Sequence, residues 1–337
     1  MSDIRKFLKY ILLFSIPLWI HIAVYIYADP FMVIYDYDNF YAERKIPVAL
    51  DRDYVSTMTY IKNCDAQKYD SFIFGNSRSM YYEVSAWQEQ IGALSRCYHF
   101  DASAESLYGV CRKMDYLDRT GAPINNVLFV VDASLLQQTR SKDNSHLFYL
   151  SPVLEHYKNS IGFHVEHWKA FLNAKFAYAV CDYAYSHEIK DYMVSNHFFE
   201  NFNMVYNPVT NEVREVDFEE EIAVGTYYTT KRKAVFEGVQ TPVTGPSVIG
   251  EEQRRLLQRL RQLLDKHHAQ YKLVVSPLYD QVKFNPRDKA YLCQLFGKDN
   301  VFDYSGVNAI TSDYHNYYEA SHYRPLVAKK ILQEIYR

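Results

Sequence analysis

Two short segments far apart in the chain hold the residue types for one kind of chemistry. Phe72-Ile73-Phe74-Gly75-Asn76-Ser77-Arg78 is an apolar run ending in a small-residue turn that presents a hydroxyl, and Glu319-Ala320-Ser321-His322 stands near the other end. A nucleophile, a base and a carboxylate that orients the base are the parts of acyl transfer through a serine ester. Gly75 permits a tight turn before Ser77, and a helical stretch after it offers free amides that favour developing negative charge. The same residues fit a plain turn with Ser77 as helix cap. Glu319 and His322 stand three apart just before Pro325, so a compact turn lets the carboxylate accept a hydrogen bond from imidazole Nδ1. Taken singly, each also fits an exposed loop residue.

Positioning these segments needs a scaffold, and the hydrophobic pattern supplies one. Residues 69–74 read as a buried strand followed by a helical stretch at 78–91, 98–101 as a second strand with its helix at 105–119, and 126–131 as an almost wholly apolar third strand ending at Asp132. Leu256, Leu257, Leu260, Leu263 and Leu264 recur at helical spacing within 251–270 and lead into a strand at 272–277. A short strand at 301–304 follows, and a closing helix starts at Pro325. Strands alternating with helices predict an α/β fold with a central parallel sheet of about five strands covered on both faces. Functional groups in such sheets gather beyond the carboxyl ends of the strands, which places Ser77, 102–104, Asp132, Pro277 and the 319–322 turn on one rim. Between residues 137 and 250 the alternation fails, too long for an ordinary connection. This segment is expected to be an insertion or cap, mainly helical over 153–185 and extended over 225–230.

Residues 10–28 contain no Asp, Glu, Lys or Arg, which gives about 28 Å of helix, close to the thickness of a bilayer core. Arg5, Lys6 and Lys9 precede this span and point the N-terminus to the cytoplasm, with everything after Asp29 on the far side. Bulky rings at Tyr25 and Tyr27 occupy positions where a signal-peptidase site needs small residues. The expected organisation is a cytoplasmic N-terminus and single-pass anchor at 1–29, a stalk or entry segment with a helix around 54–62 at 30–68, a catalytic domain from 69–136 and 251–337, and the 137–250 insertion. Net charge is −3 and no basic run resembles a nucleic-acid footprint, so nucleic acid is not an expected partner. Tyrosine is abundant, 32 of 337 residues, and its amphipathic ring suits sugars as well as core edges. The five cysteines show no zinc spacing. If the first two strands are neighbours, as in the flavodoxin-like order, Cys64 and Cys97 precede their amino ends and are the pair to test for a disulfide. His267, His268, Asp313 and His315 fit no strong ligand pattern, and no metal or cofactor is expected.

The strand-Gly75-Asn76-Ser77-Arg78 segment, Asp101-Ala102-Ser103-Ala104 after the second strand, a polar residue after the third, and the terminal acidic-x-x-His-Tyr-Arg-Pro together resemble the SGNH/GDSL hydrolase superfamily. The likeness is greatest to its membrane-anchored branch, which includes acetyltransferases acting on polysaccharides such as alginate. It covers roughly residues 69–132 and 272–337. The resemblance implies a flavodoxin-like three-layer sandwich, with Ser77 as nucleophile, His322 as general base and Glu319 as its orienting partner. It implies an extracytoplasmic enzyme moving an acyl group to or from a cell-envelope glycan, with an acyl donor and a membrane-bound O-acyltransferase as partners. The alternatives are an esterase with the same triad and a non-catalytic, membrane-tethered glycan-binding scaffold. Departures from the pattern are Glu319 where Asp is usual, and Asp132 where a hydrogen-bond donor to an oxyanion is usual; an ionised Asp132 cannot donate. The oxyanion hole is then expected on the amides of Ser77 and Ala104 with Asn76 assisting. Arg78 is expected to pair with Asp101 or Asp132, and Arg324 to recognise an anion or to start the last helix.

Overall fold

The computed structural model describes residues 2–142, 144–200, 204–236 and 242–337. Met1, at the head of the expected anchor segment, and the parts of the 137–250 segment at 143, 201–203 and 237–241 lie outside the described residues. A parallel sheet of five strands forms the centre, made of β1 Ser71–Gly75, β2 Cys97–His99, β3 Asn126–Val131, β6 Gln270–Val275 and β7 Val301–Asp303, in the spatial order β2-β1-β3-β6-β7. Two antiparallel pairs stand apart, β4 Met204–Tyr206 with β5 Val213–Glu215, and β8 Tyr317–Glu319 with β9 His322–Tyr323.

Successive strand side chains point to opposite faces, and both sets are apolar. Phe72, Phe74, Tyr98, Val127, Phe129, Val131, Leu273 and Val275 join one buried cluster, whereas Ile73, Cys97, Leu128, Val130 and Val274 join the other. Ten helices matter here: α1 Ser2–Ala28, α2 Arg52–Gln67, α3 Val84–Ile91, α4 Leu107–Arg119, α5 Ser160–Phe171, α6 Ala174–Ser186, α7 Val216–Ala223, α8 Glu251–Lys266, α9 Pro286–Phe296 and α10 Pro325–Ile335. The first cluster is closed by Tyr60 of α2, by α4, by α8 and by Leu292 and Phe296 of α9; the second by Trp87 of α3 and by Val327, Ala328, Ile331, Leu332 and Ile335 of α10. All five leucines of α8 face the core, each contributing about 1.5–3 kcal/mol by burial. Local signals agree with this packing. Ser106 Oγ caps α4 by accepting from Gly109 N at 2.9 Å, and Pro325 occupies the first turn of α10.

Several sequence expectations need correction. The helix expected over 78–91 is split into a 3-10 turn at Ser77–Tyr81 and α3, because Tyr82 leaves the helical path to bury its ring edge-on against Tyr323. Residues 225–230 form no strand: Gly225, at φ +77°, stops α7, and the hydroxyls of Tyr227 and Tyr228 reach over to the carbonyls of Tyr318 and Tyr317. The Cys64–Cys97 disulfide is absent, and all five cysteines are free thiols. The two-residue periodicity of β2 sends Cys97 to the face opposite the one Cys64 packs against, so the thiols stand on different sides of the sheet. Within the 30–68 segment, α2 runs longer than the expected 54–62 and packs on the sheet through Tyr60.

α1 is long and apolar enough to cross a membrane, with mean hydropathy 2.0 over its most apolar stretch and little of that stretch buried against the rest of the chain. Its last two turns touch α5: Trp168 Nε1 donates to His21 Nδ1 at 3.3 Å, and the rings of His21 and Tyr25 lie 4.7 and 5.4 Å from Phe171.

Candidate active site

β1 ends where its neighbour comes closest. A Cβ on Gly75 would stand 2.7 Å from Val130 O and 2.7 Å from Ser79 Cβ, so only glycine lets the chain turn there. Asn76 starts the 3-10 turn by accepting from Arg78 N at 3.1 Å, and Ser79 Oγ donates to the Asn76 carbonyl at 2.8 Å. Ser77 is thereby left half-buried at the start of the turn.

The second segment is the tight β8–β9 hairpin, held down by its tyrosines. Tyr317 and Tyr323 are fully buried, and Tyr317 donates its hydroxyl to the Pro277 carbonyl beyond β6 at 2.9 Å. This fixes His322 with Nε2 2.8 Å from Ser77 Oγ, across a sequence separation of 245. Nδ1 of the same ring is hydrogen-bonded to Glu319 Oε1, which selects the tautomer that leaves Nε2 free to accept from the hydroxyl. Glu319 also accepts from Ser321 Oγ at 2.7 Å and Ser321 N at 3.2 Å. Burial opposes its ionisation, but hydrogen bonds from His322 and Ser321 outweigh that cost and hold the carboxyl down at about 2. Glu319 is therefore a carboxylate at neutral pH, able to stabilise an imidazolium.

Arg78 ties the two segments together. Its Nε donates to the Ser321 carbonyl at 3.1 Å and its Nη1 to Asp132 Oδ2 at 2.6 Å, so one guanidinium spans the hairpin, the serine turn and the end of β3. Asp132 is buried yet ionised: desolvation pushes its pKa up, and Arg78, Ser134, Asn76 and the Leu135 amide together bring it below the ordinary value. Asn76 Nδ2 donates to the same carboxylate at 2.6 Å. The expected oxyanion role of Asn76 does not fit this arrangement, because its amide is buried and turned to Asp132. Asp132 acts instead as a strut that receives the turn.

Other expected rim residues divide. Ala104 is exposed beyond β2 in the left-handed region at φ +49°, with its carbonyl accepting from Lys142 at 3.0 Å. Asp101 does not meet Arg78; it accepts from Arg52 at 3.1 and 2.9 Å in a buried cluster. Arg324 is the N-cap residue of α10 and makes a two-pronged pair with Glu219 of α7 at 2.8 and 2.6 Å, which leaves no open anion site on it. His267 Nε2 bonds Asp118 and His315 Nδ1 bonds Asp313, each at 2.8 Å, and no group of three or more metal-ligating side chains is found among the described residues.

Reading the sequence missed two neighbours of His322. The Tyr81 ring meets the imidazole edge-on at 5.8 Å, and its hydroxyl donates to Glu215 Oε2 at 3.3 Å. Burial pushes the Glu215 carboxyl up to about 7, partly offset by the attraction of His322 and the Tyr81 hydrogen bond. Tyr81 follows the serine by one helical turn and was open to inference; Glu215 arrives only through the β4–β5 pairing, which no local pattern announces. A small cleft of about 90 Å³ opens beside Asp132, walled by Ser276, Asp280, Lys283, Asn285 and Ser305 at the ends of β6 and β7. No family model matches the sequence, and no curated protein matches it.

Proposed function

We propose that the chain is a serine acyl-transfer enzyme of the SGNH/GDSL kind, on a flavodoxin-like three-layer scaffold with residues 137–250 as a cap. The observation that carries this reading is the chain of hydrogen bonds from Ser77 Oγ to His322 Nε2 and from His322 Nδ1 to Glu319. With the ring proton on Nδ1, facing the Glu319 carboxylate, each contact has the direction the chemistry requires. As Ser77 Oγ attacks an acyl carbonyl its proton passes to Nε2, the imidazolium is held by the Glu319 carboxylate, and the same proton then goes to the departing alcohol oxygen. The second half reverses these roles: an acceptor hydroxyl gives its proton to Nε2 and takes the acyl group from Ser77. The amides of Ser77 and of the exposed Ala104 are the proposed donors to the oxyanion.

The acceptor or donor is a cell-envelope polysaccharide carrying O-acyl, in first place O-acetyl, groups, and a membrane-bound O-acyltransferase is the proposed source of the acyl group. An N-terminal helix able to cross the bilayer supports a single-pass protein with this site outside the cytoplasm. Transfer to water and transfer to sugar use the same residues, so an esterase differs only in how its acceptor site treats water. Full-length protein exposed to a fluorophosphonate probe tests the reading. Labelling that vanishes in Ser77→Ala and falls sharply in His322→Ala is expected. A folded parent that resists labelling while retaining polysaccharide binding would instead make the chain a tethered glycan-binding scaffold.

A further inference from the structure

Helices α5 and α6 are apolar on two opposite faces. Phe163, Phe176 and Ala179 turn inward to a buried cluster with Phe31 and Tyr149. Facing outward, Ile161 and Val165 on α5 and Leu172 just past its end are exposed, with His164 and Lys169 between them, while Tyr178 and Tyr185 stand out from α6. Ile161 is 82 %, Tyr178 64 % and Tyr185 91 % exposed. Exposed apolar groups set side by side on two neighbouring helices mark an interaction surface.

What covers it follows from where it begins. Trp168 and Phe171, packed against the inner cluster beside this stripe, are the residues that touch His21 and Tyr25 of α1, so the stripe lies next to the helix able to cross a membrane. From His21 to Ala28 that helix rises about 10 Å, which is the depth to which an interfacial helix sinks its apolar face. At the same level a cavity of about 460 Å³ opens between Tyr27, Ala28, Met32, Phe171 and Val180, with Lys45 at its lip over the Tyr27 ring at 5.9 Å. Its lining joins apolar side chains to Tyr27, Tyr35 and Tyr37 and to the charged Asp29, Glu43, Arg44 and Lys45, a mixture of tyrosine and charge suited to the polar edge of a bilayer.

We infer that the α5–α6 pair is a second membrane element, lying in the interfacial layer of the bilayer beside the exit of α1. It rests on the reading that α1 crosses that bilayer. Seating the pair there fixes the orientation of the whole domain, so that the distance of Ser77 from the membrane is set by protein packing and not by a loose tether.

The test uses the full chain in phospholipid nanodiscs, with single spin labels on Ile161→Cys, Leu172→Cys and Tyr185→Cys in a background where Cys64, Cys181 and Cys293 are serine. Collision with oxygen, which partitions into lipid, is compared with collision with a water-soluble nickel chelate. The three labels are expected to favour oxygen at least several-fold over a Leu94→Cys control, whose position is 95 % exposed. A label on Leu13→Cys reports α1 itself. If Leu13 reads lipid while the three others match Leu94, the inference is overturned and the anchor stands; if Leu13 also reads water, the anchor reading falls and takes the inference with it. Labels shielded from both reagents overturn it in favour of a protein partner on this face.

Discussion

Two clusters of charged and polar side chains lie beyond the carboxyl ends of neighbouring strands, and they are built to opposite ends. After β1 stand Ser77, His322 and Glu319, with the His322 and Glu319 side chains 29 % and 45 % exposed. After β2 the Lys113 ammonium, with no exposed surface, sits between Asp53 at 3.0 Å, Glu105 at 2.5 Å and the Asp101 carbonyl at 3.0 Å, while Arg52 clamps Asp101 nearby. Both are dense in hydrogen bonds. The second closes on itself: the ammonium's donors are all taken, and burial is offset by Asp53 and Glu105, which keep the lysine charged. The first ends on a hydroxyl and an imidazole that water and a substrate can reach. Charge density does not separate the two; what differs is the group left at the end of the chain, an accessible hydroxyl in the first and none in the second.

Breaking each cluster should therefore fail in different ways. Glu319→Gln is expected to leave the fold intact and lower turnover by up to about 10⁴-fold, because the imidazolium loses its counter-charge and the tautomer its selection. Steady-state kinetics on a chromogenic ester checks this, and unchanged rates would remove Glu319 from the mechanism. Lys113→Met acts on the other side of the comparison. It strands two buried carboxylates, so stability should drop by about 3–5 kcal/mol in urea unfolding of the full chain. Folded material that remains should still label with fluorophosphonate, since no group of that cluster touches Ser77 or His322, with any fall in rate reporting a shift of the 101–105 loop that carries Ala104.

Arg78→Lys falls between the two. A lysine offers a point charge where the guanidinium fork bridges the Ser321 carbonyl and Asp132, so one of those contacts is lost. The hairpin then shifts relative to the serine, and turnover is expected to fall by about 10²-fold with little change in stability. A loss confined to KM would place Arg78 in substrate binding and not in holding the two segments together.

How much of this was legible in the sequence depended on the range of the signal. β3 matched residue for residue, as did the start of α10 at Pro325 and the start of α8 at Glu251, because a periodic apolar run and a cap are local facts. The contact of Ser77 with His322 and Glu319 was legible because Gly75 and the closely spaced Glu319 and His322 each carry a local constraint, and a parallel sheet sends both segments to one rim. Helix α9 was overlooked although Asn285-Pro286 is a start signal, since it sits between two short strands that absorbed the pattern. Of the two partners expected for Arg78 the structure takes Asp132; Asp101 goes instead to Arg52, a choice that charge alone does not make and that packing of α2 on the sheet decides. Glu215 was beyond reach for the same reason, delivered by a pairing of two three-residue strands.

Glu215 gives the finest test of the comparison, since it is a half-buried carboxyl in the location of the first cluster. The groups that face it are the Tyr81 hydroxyl, the imidazole of His322, the carboxylate of Glu319 and the rings of Tyr227 and Tyr318. Its carboxyl titrates near 7 in the fold against an ordinary 4.5. A folded-state value above the unfolded one means that the native protein binds the extra proton between those limits. The stability this supplies is fully present below about 4.5 and is lost as pH rises to about 7, by at most about 3 kcal/mol. Glu215→Gln keeps the shape and removes the titration, so the melting temperature of the variant should gain on that of the parent as pH rises from about 5 to about 7.5, and run parallel above. In the same window the parent acquires a second negative charge beside His322 and the variant does not. The parent-to-variant ratio of kcat/KM should therefore be flat in the acid range and change through neutrality. Parallel melting curves across the whole range would assign Glu215 to the closed kind of cluster, its charge fixed by partners; parallel melting with a pH-dependent rate ratio would place its effect on substrate alone.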